Sequence, residues 1–157
     1  MNEFLQAHFV ASSELMQINL EMSAPVTIST ISGISKRLVP IFGGEVYGDN
    51  YAGTVIGGGA DWQEIHPDGS IEINARYVLN LNGGLVEVSS RGLRTGSAEI
   101  LEQLNRGEQV DPRSYYFRTA IRFATTTAEL IHLNKILAIS TGERLANVVK
   151  LTVYEVI

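Results

Sequence analysis

Four side chains in one short stretch, Asp61, Trp62, Glu64 and His66, combine the groups that proton-transfer chemistry uses. A carboxylate or imidazole beside an apolar surface can have its pKa moved towards neutrality, and it can then act as a general acid or base. An indole supplies a flat apolar surface for a small molecule. The glycines of Gly57–Gly59 suit a bulge, a bend or a close approach to a ligand. We therefore expect Asp61 and His66 to transfer protons and Trp62 to cover the substrate.

Charged side chains on later strands could hold an anionic oxygen. Arg76, Glu87, Arg118 and Arg122 occupy positions where alternation creates polar faces. A guanidinium that points inward would hold a carboxylate, phenolate or enolate in bidentate geometry. If these faces point outward, the same residues form solvated pairs worth about 0–1 kcal/mol each. We expect Arg76 to join the catalytic group and Glu87 and Arg118 to bind substrate, while Arg122 fits the outward alternative better.

Two further residues complete the predicted site. Tyr47 follows the Gly43-Gly44 kink, and its hydroxyl could donate a hydrogen bond to a substrate oxygen. Glu64 shares a face with Trp62 in an extended segment, because alternate side chains of a strand point the same way. We expect both to bind substrate. The alternative is purely structural, with Asp61 bonding to the backbone of the glycine bend and the other groups in solvent.

The residue types predict no metal and no cofactor. The glycine triplet is not followed by a helical pattern, so it does not form a dinucleotide-binding motif. His8, His66 and His132 lie far apart and lack the spacing of metal ligands. The chain contains no cysteine, which removes disulfides and thiolate chemistry.

Composition indicates a soluble globular protein. The chain has 157 residues, of which 45% are hydrophobic, enough for one domain with a sizeable core. A net charge of -5 argues against nucleic acid as a partner. Gly, Ser, Thr and Asn interrupt the uncharged runs, so we expect no transmembrane helix and no membrane partner. The first residues lack the positive charge of a secretory signal, and we expect a cytoplasmic location.

The elements that must position these residues are strands. Apolar and polar residues alternate from Ser70 to Leu81, after the turn signal His66–Gly69 and before the hairpin signal Asn82–Gly84. Similar patterns along the chain predict about nine or ten strands. Two short helices are predicted, one capped by Ser97 and ended by Gly107, the other from Ala128 to about Lys135.

This pattern predicts a mainly β protein, a single closed antiparallel β-barrel with two short helices. Residues 1–13 are predicted to form an N-terminal arm, and residues 14–157 the barrel domain. A barrel is preferred to a sandwich because several long strands have one polar and one apolar face, with no obvious edge strand.

The segments GGEVYGDNYAGTVIGGGADWQ, EINARYVLNLNGGLVEVSSRG and YYFRTAIRF, with the region around Gly142–Arg144, resemble a bacterial family, domain-of-unknown-function family 3237. The resemblance implies a single antiparallel barrel that often self-associates, similar to the allene oxide cyclase and dirigent barrels. Related barrels bind small apolar molecules in the lumen, and some guide cyclisation or isomerisation without a cofactor. The resemblance implies no particular reaction.

Three functions are compatible with these observations. The first is a cofactor-independent lyase or isomerase acting on a small apolar or aromatic molecule. The second is a non-catalytic barrel that binds the same kind of ligand. The third is an assembly module with a filled lumen, and in each case we expect a homo-oligomer. The catalytic hypothesis requires Asp61, Trp62 and Arg76 to line one cavity.

Overall fold

The computed structural model describes residues 10–157, which form nine strands. The strands are β1 (Ser12–Met22), β2 (Val26–Ile31), β3 (Ile34–Tyr47), β4 (Gly53–Ile65), β5 (Ile71–Leu81), β6 (Gly84–Thr95), β7 (Tyr116–Ala124), β8 (Ala138–Arg144) and β9 (Val148–Val156). Helical segments are α1 (Ala98–Asn105) and two 3-10 helices, Pro112–Ser114 and Ala128–Lys135. Residues 1–9, most of the predicted arm, lie outside the described residues, and β1 begins within the rest of that arm.

Eight of the strands close into an antiparallel barrel. Each pairs with its neighbours in the order β1-β9-β8-β7-β6-β5-β4-β3, and β1 also pairs with β3 to complete the circle. The ninth strand, β2, pairs with the first half of β3. The predicted closed barrel of about nine or ten strands and two short helices is therefore confirmed.

The closure between β1 and β3 depends on a glycine. Pairing of Glu21 with Gly43 and of Met22 with Ile41 leaves a register shift, so β3 kinks where it meets β1. Gly44 has a φ of +143°, and a Cβ at that position would lie 1.9 Å from the carbonyl oxygen of Asn19. The predicted kink is thus a bulge inside one continuous strand, because only a residue without a side chain lets the two backbones approach so closely.

The inner face of the barrel is the apolar face of each strand. In β5, the residues at odd positions from Ile71 to Leu81 are buried, whereas Glu72, Asn74 and Arg76 are exposed. The same two-residue period runs through β7, where Phe117 is buried and its neighbours are exposed. Alternation therefore decides which side chains enter the lumen, since successive strand residues point to opposite faces.

The two ends of the barrel differ. At the end of the β5–β6 hairpin, the 3-10 helix Ala128–Lys135 buries Leu130 and Leu133, which join the aliphatic core. At the opposite end, α1 begins where the Ser97 hydroxyl accepts a hydrogen bond from Ile100 N at 3.2 Å, the cap that the sequence predicts. Leu101 and Leu104 of α1 are buried at this second rim, and the polar residues of the lumen lie at the same end.

None of the helices within residues 10–157 is long and apolar enough to cross a membrane.

Candidate functional site

A cavity of about 350 Å³ occupies the lumen at the α1 end of the barrel. Apolar side chains such as Ile41, Ile73 and Leu151 form part of its wall, and the β1–β2 loop, the end of α1 and the β8–β9 turn surround it. The larger polar side chains of the lining are Arg37, Asp61, Gln63, Tyr77, Arg94, Asn105, Arg106, Thr119, Arg144 and Asn147. A site of this kind, an apolar pocket with a few convergent polar groups, suits a small organic ligand.

Asp61 is the carboxylate of the cavity. It lies on the inner face of β4 with 5% of its surface exposed. Its Oδ2 accepts a hydrogen bond from Gln63 Nε2 at 2.7 Å, and its Oδ1 accepts one from Asn74 N at 2.9 Å. Burial raises the pKa of Asp61, although these hydrogen bonds and the nearby Arg94 and Arg37 oppose the shift. The carboxyl therefore holds its proton to a higher pH than an ordinary aspartate.

Gln63 links this carboxylate to a guanidinium. Arg37 Nε donates to Gln63 Oε1 at 2.7 Å, so the amide nitrogen of Gln63 faces Asp61 and its oxygen faces Arg37. Arg37 Nη1 also donates to Asn105 Oδ1 at 3.4 Å, where α1 ends. Burial and the positive charge of Arg144 lower the pKa of Arg37. These hydrogen bonds connect Asn105 at the rim of the barrel to Asp61 through Arg37 and Gln63, and they fix the orientation of the Asp61 carboxylate.

Arg94 is the most deeply buried cation of the site, with 4% of its surface exposed. Its guanidinium carbon lies 5.7 Å from the centre of the Phe117 ring, and its Nε is buried without a hydrogen-bond partner. Burial, assisted by the charges of Arg144 and Arg37, lowers the pKa of Arg94 to about 10. The side chain remains charged at neutral pH, and its Nε–H donor has no acceptor among the described residues.

A second unused polar group is the hydroxyl of Tyr77 on β5. This residue is 2% exposed, and its hydroxyl oxygen has no hydrogen-bond partner among the described residues. Burial raises the pKa of Tyr77, so the phenol stays protonated and can donate a hydrogen bond. Buried polar groups in folded proteins are nearly always paired, and two unpaired donors in one cavity indicate that a ligand or solvent supplies the acceptor.

The structure separates the three residues that the catalytic hypothesis requires together. Asp61 points into the lumen, whereas Trp62, the next residue of β4, is 54% exposed on the outer surface. The Arg76 side chain is 66% exposed and forms an ion pair with Glu87, also outside. The expectation that Asp61, Trp62 and Arg76 line one cavity is therefore wrong. Its physical reason is the strand period: the inner face of β5 is the apolar one, which leaves Arg76 in solvent.

The remaining predicted site residues also lie outside the lumen. Tyr47 is exposed and hydrogen-bonds to Glu45, and Glu64 forms an ion pair with Lys36 at 3.6 Å. The Arg118 guanidinium carbon lies 5.3 Å from the centre of the Tyr116 ring on the outer face. Because the lumen does not contain them, their roles in binding stay predictions for the outer surface alone.

His66 stands at the turn between β4 and β5, where its Nε2 lies 2.8 Å from Glu72 Oε2. Ligand atoms of Glu64, His66 and Glu72 all lie within 4.8 Å of one another. One imidazole and two carboxylates could hold a metal ion, but this group is on the outer surface. It is separate from the cavity that contains Asp61.

Sequence reasoning missed the three arginines of the lumen, although a signal was present. Each arginine continues the inner face of its strand: Arg37 is two residues before Val39, and Arg144 is two residues after Gly142. Arg94 is two residues after Gly92 and six after Val88, and β6 runs on to Thr95, which places Arg94 inside. If the alternation of each strand is followed beyond its first polar residues, all three arginines are placed on the same face as the apolar residues.

Comparison with known proteins agrees with this architecture. The family model described as "Protein of unknown function (DUF3237)" matches residues 11–156. A UPF0311 protein of Clostridium acetobutylicum is 34% identical over 145 residues, which cover 91% of this chain and 92% of that protein.

Solved structures show the same barrel. A conserved protein of unknown function from Rhodopseudomonas palustris is 33% identical and superposes with a TM-score of 0.91, covering 97% of this chain and 100% of that one. An enzyme from Penicillium herquei has a TM-score of 0.73 over 97% of this chain and 98% of its own, and at 21% identity this likeness shows the fold alone. Since the family match spans almost all of the sequence, the chain belongs to the DUF3237 family.

Proposed function

We propose that the lumen binds a small, partly apolar molecule and catalyses a proton transfer on it without a cofactor, as a lyase or isomerase does. The observation that carries this proposal is Asp61, a buried carboxyl with a raised pKa in the wall of a cavity of about 350 Å³. A carboxylate whose pKa is raised in this way is a stronger base than an exposed one, which suits general acid–base catalysis.

In the proposed mechanism, Asp61 removes a proton from an acidic C–H or O–H bond of the substrate. The electron pair of that bond stays on the substrate as an enolate or an equivalent anion, and the proton is held by the carboxyl group. Asp61 then returns the proton to a different substrate atom, which completes an isomerisation. Gln63 and the backbone N–H of Asn74 keep the carboxylate in place.

The same cavity supplies donors for the charge that develops. Arg94 Nε and the Tyr77 hydroxyl are buried, and neither has an acceptor within the described part of the chain. Preorganised donors of this kind stabilise an oxyanion more strongly than water does, because they need no reorganisation as the charge forms. The apolar wall reduces competition from solvent.

A non-catalytic binding barrel is the second candidate. It is favoured by the two hydrogen bonds that Asp61 already accepts, because a carboxylate held in this way could have the purely structural role of orienting Gln63 and Arg37. The cavity itself argues against an assembly module with a filled lumen.

Deuterium incorporation distinguishes the two candidates. The protein would be incubated in D₂O with enolisable ketones and keto acids, among them phenylpyruvate and 2-tetralone, and mass spectrometry would follow the gain of deuterium above the uncatalysed rate. We expect catalysed exchange for part of this panel, reduced about 10²- to 10⁴-fold in Asp61→Asn. Arg76→Gln on the outer face is the control and should exchange normally. Unchanged exchange in Asp61→Asn removes this mechanism, and absence of exchange across the panel favours the binding barrel.

A further inference from the structure

We infer that the lumen selects a small organic anion, a carboxylate or an ionised enol or phenol, and that Arg94 recognises its charge. This inference rests on the lumen as the binding site, as the proposed function does, but it does not depend on proton transfer by Asp61.

The first support is the balance of charge inside the barrel. Four arginines line the cavity with the single carboxylate of Asp61. Arg106, at the end of α1, is already paired with Glu102 and Glu108, which leaves Arg37, Arg94 and Arg144, three cations against one carboxylate. None of the three arginines forms an ion pair with a carboxylate in the part of the chain that the structure describes. Several like charges in a partly buried space are unfavourable unless counter-charge is present. An anionic ligand would supply that charge.

The second support is that, of these three arginines, Arg94 alone has a fully buried N–H group without an acceptor among the described residues. Arg37 is engaged with Gln63 and Asn105, and Arg144 Nη1 donates to the carbonyl oxygen of Ala146 at 2.9 Å. The flat face of Arg94 is covered by Phe117, but its Nε lacks an acceptor. A guanidinium whose face is packed and whose edge is unpaired matches the planar, bidentate geometry of a carboxylate.

The third support concerns the rest of the ligand. The cavity volume of about 350 Å³ is at the small end of the range for ligand pockets, which suits a molecule of one or two rings. Apolar residues and the Phe117 ring line the same space, so a purely inorganic ion would leave apolar surface uncovered. Water could form hydrogen bonds with Tyr77 and Arg94, but it would not neutralise the positive charge of the arginines.

The test uses acids and amides of matched shape: benzoate with benzamide, cinnamate with cinnamamide, and 2-naphthoate with 2-naphthamide. Isothermal titration at pH 7.5 would measure their affinity for the wild-type protein, Arg94→Gln and Arg118→Gln. Arg118 is the matched control, since it also stacks on an aromatic ring but lies on the outer face. We expect at least one acid to bind tenfold or more tightly than its amide. Arg94→Gln should weaken that acid about 10- to 100-fold with little effect on the amide, and Arg118→Gln should change neither.

Amides that bind as tightly as their acids, or acids that do not bind at all, would overturn the inference. An equal loss of affinity for the acid in Arg118→Gln and Arg94→Gln would do the same.

These comparisons separate the inference from the proposed function. If the protein prefers acids but catalyses no deuterium exchange, the proposed proton transfer is wrong and the selection of anions stands. If it catalyses exchange on neutral ketones but shows no preference for acids, the selection of anions is wrong and the proton transfer stands. If Arg94→Gln failed to fold, the wild-type ratio of acid to amide affinity would still decide.

Discussion

At the scale of single residues, Arg94 is the group whose position is hardest to explain by stability. It is almost fully buried, close to two other arginines, and its Nε has no acceptor among the described residues. Replacing a buried charge by an apolar side chain of similar volume is often stabilising, because the cost of removing the charge from water disappears. A residue that costs stability where it stands is a candidate for function.

We therefore expect Arg94→Met to raise the free energy of unfolding by about 1–2 kcal/mol while abolishing the preference for anions. Urea denaturation at pH 7.5 would measure the stability, and titration with benzoate or cinnamate the affinity. Arg118→Met, on the exposed face, should change stability by no more than about 0.5 kcal/mol. A marked destabilisation by Arg94→Met would mean that the guanidinium has a structural role that its contacts do not reveal.

Asp61 predicts a dependence of stability on pH. Its pKa is higher in the folded protein than in the unfolded chain, so folding favours the protonated form. The resulting stabilisation is complete below the ordinary pKa of an aspartate, and it is lost as pH rises through the folded pKa. The stability of the wild type relative to Asp61→Asn should therefore fall as the pH rises above about 4. Urea unfolding of both proteins at increasing pH would measure the difference, and an increase with pH would show that the pKa is lowered instead.

At the scale of elements, the glycines of β4 serve the pairing of two strands. The register between β4 and β5 shifts between Ile56 and Ala60, so the triplet forms the bulge that the sequence allows. A Cβ on Gly59 would lie 2.6 Å from Tyr77 Cβ and 2.7 Å from the carbonyl oxygen of Arg76. Gly58 has a φ of +110° but open space around it. The close approach is thus between strands, and it sets the position of the strand that bears Tyr77.

Two alanine substitutions separate steric from conformational effects. Gly59→Ala should cost about 2–3 kcal/mol, because the methyl group collides with β5, and it should also weaken ligand binding by moving Tyr77. Gly58→Ala should cost about 1–2 kcal/mol through its positive φ and leave binding unchanged. Chemical denaturation and titration with the same acids would measure both. Equal effects of the two substitutions on affinity would contradict the proposed link between the bulge and the site.

At the scale of the whole molecule, the barrel separates an outer and an inner set of functional-looking residues. The outer set contains Trp62, Arg76 and the group of Glu64, His66 and Glu72. The inner set contains Asp61 and the arginines of the rim. Asp61 and Trp62 are adjacent along the chain, but they lie on opposite sides of the barrel wall, which is one backbone layer thick. Residues that suggest a site on the outer surface therefore give little information about the site in the lumen.

This separation makes Trp62 a sensor of where a ligand binds. The indole is largely exposed on the outer face, so a ligand in the lumen should leave its accessibility to acrylamide unchanged. We expect the same quenching of Trp62 fluorescence with and without saturating cinnamate, while thermal unfolding shows that the ligand is bound. As a comparison, Leu93→Trp would add a second indole at another exposed position of the outer face. Protection of Trp62 by cinnamate would instead place the ligand in the outer depression that Trp62 and Leu93 line.

The barrel class, most of its strands and the Ser97 cap could be predicted from the chain, and so could the placement of Asp61 and Trp62 on opposite faces of one strand. These features depend on local physics: the two-residue period of a strand, the turn preferences of Gly, Pro and Asn, and the hydrogen bond of a helix cap. They are encoded within a few residues and need no knowledge of distant partners.

The composition of the site depends instead on closure. Arg37, Arg94 and Arg144 are far apart in the sequence, and they meet only because their strands end at the same rim of the barrel. Alternation sorts side chains into two faces without saying which face is inside, so a polar face appeared as suitable for a lumen as an apolar one. Burial resolves this ambiguity: the closed sheet turns its apolar faces inward, and the cations of the lumen are those that continue these faces to the rim. For that reason an acidic chain, of net charge -5, surrounds a cavity in which cations outnumber carboxylates.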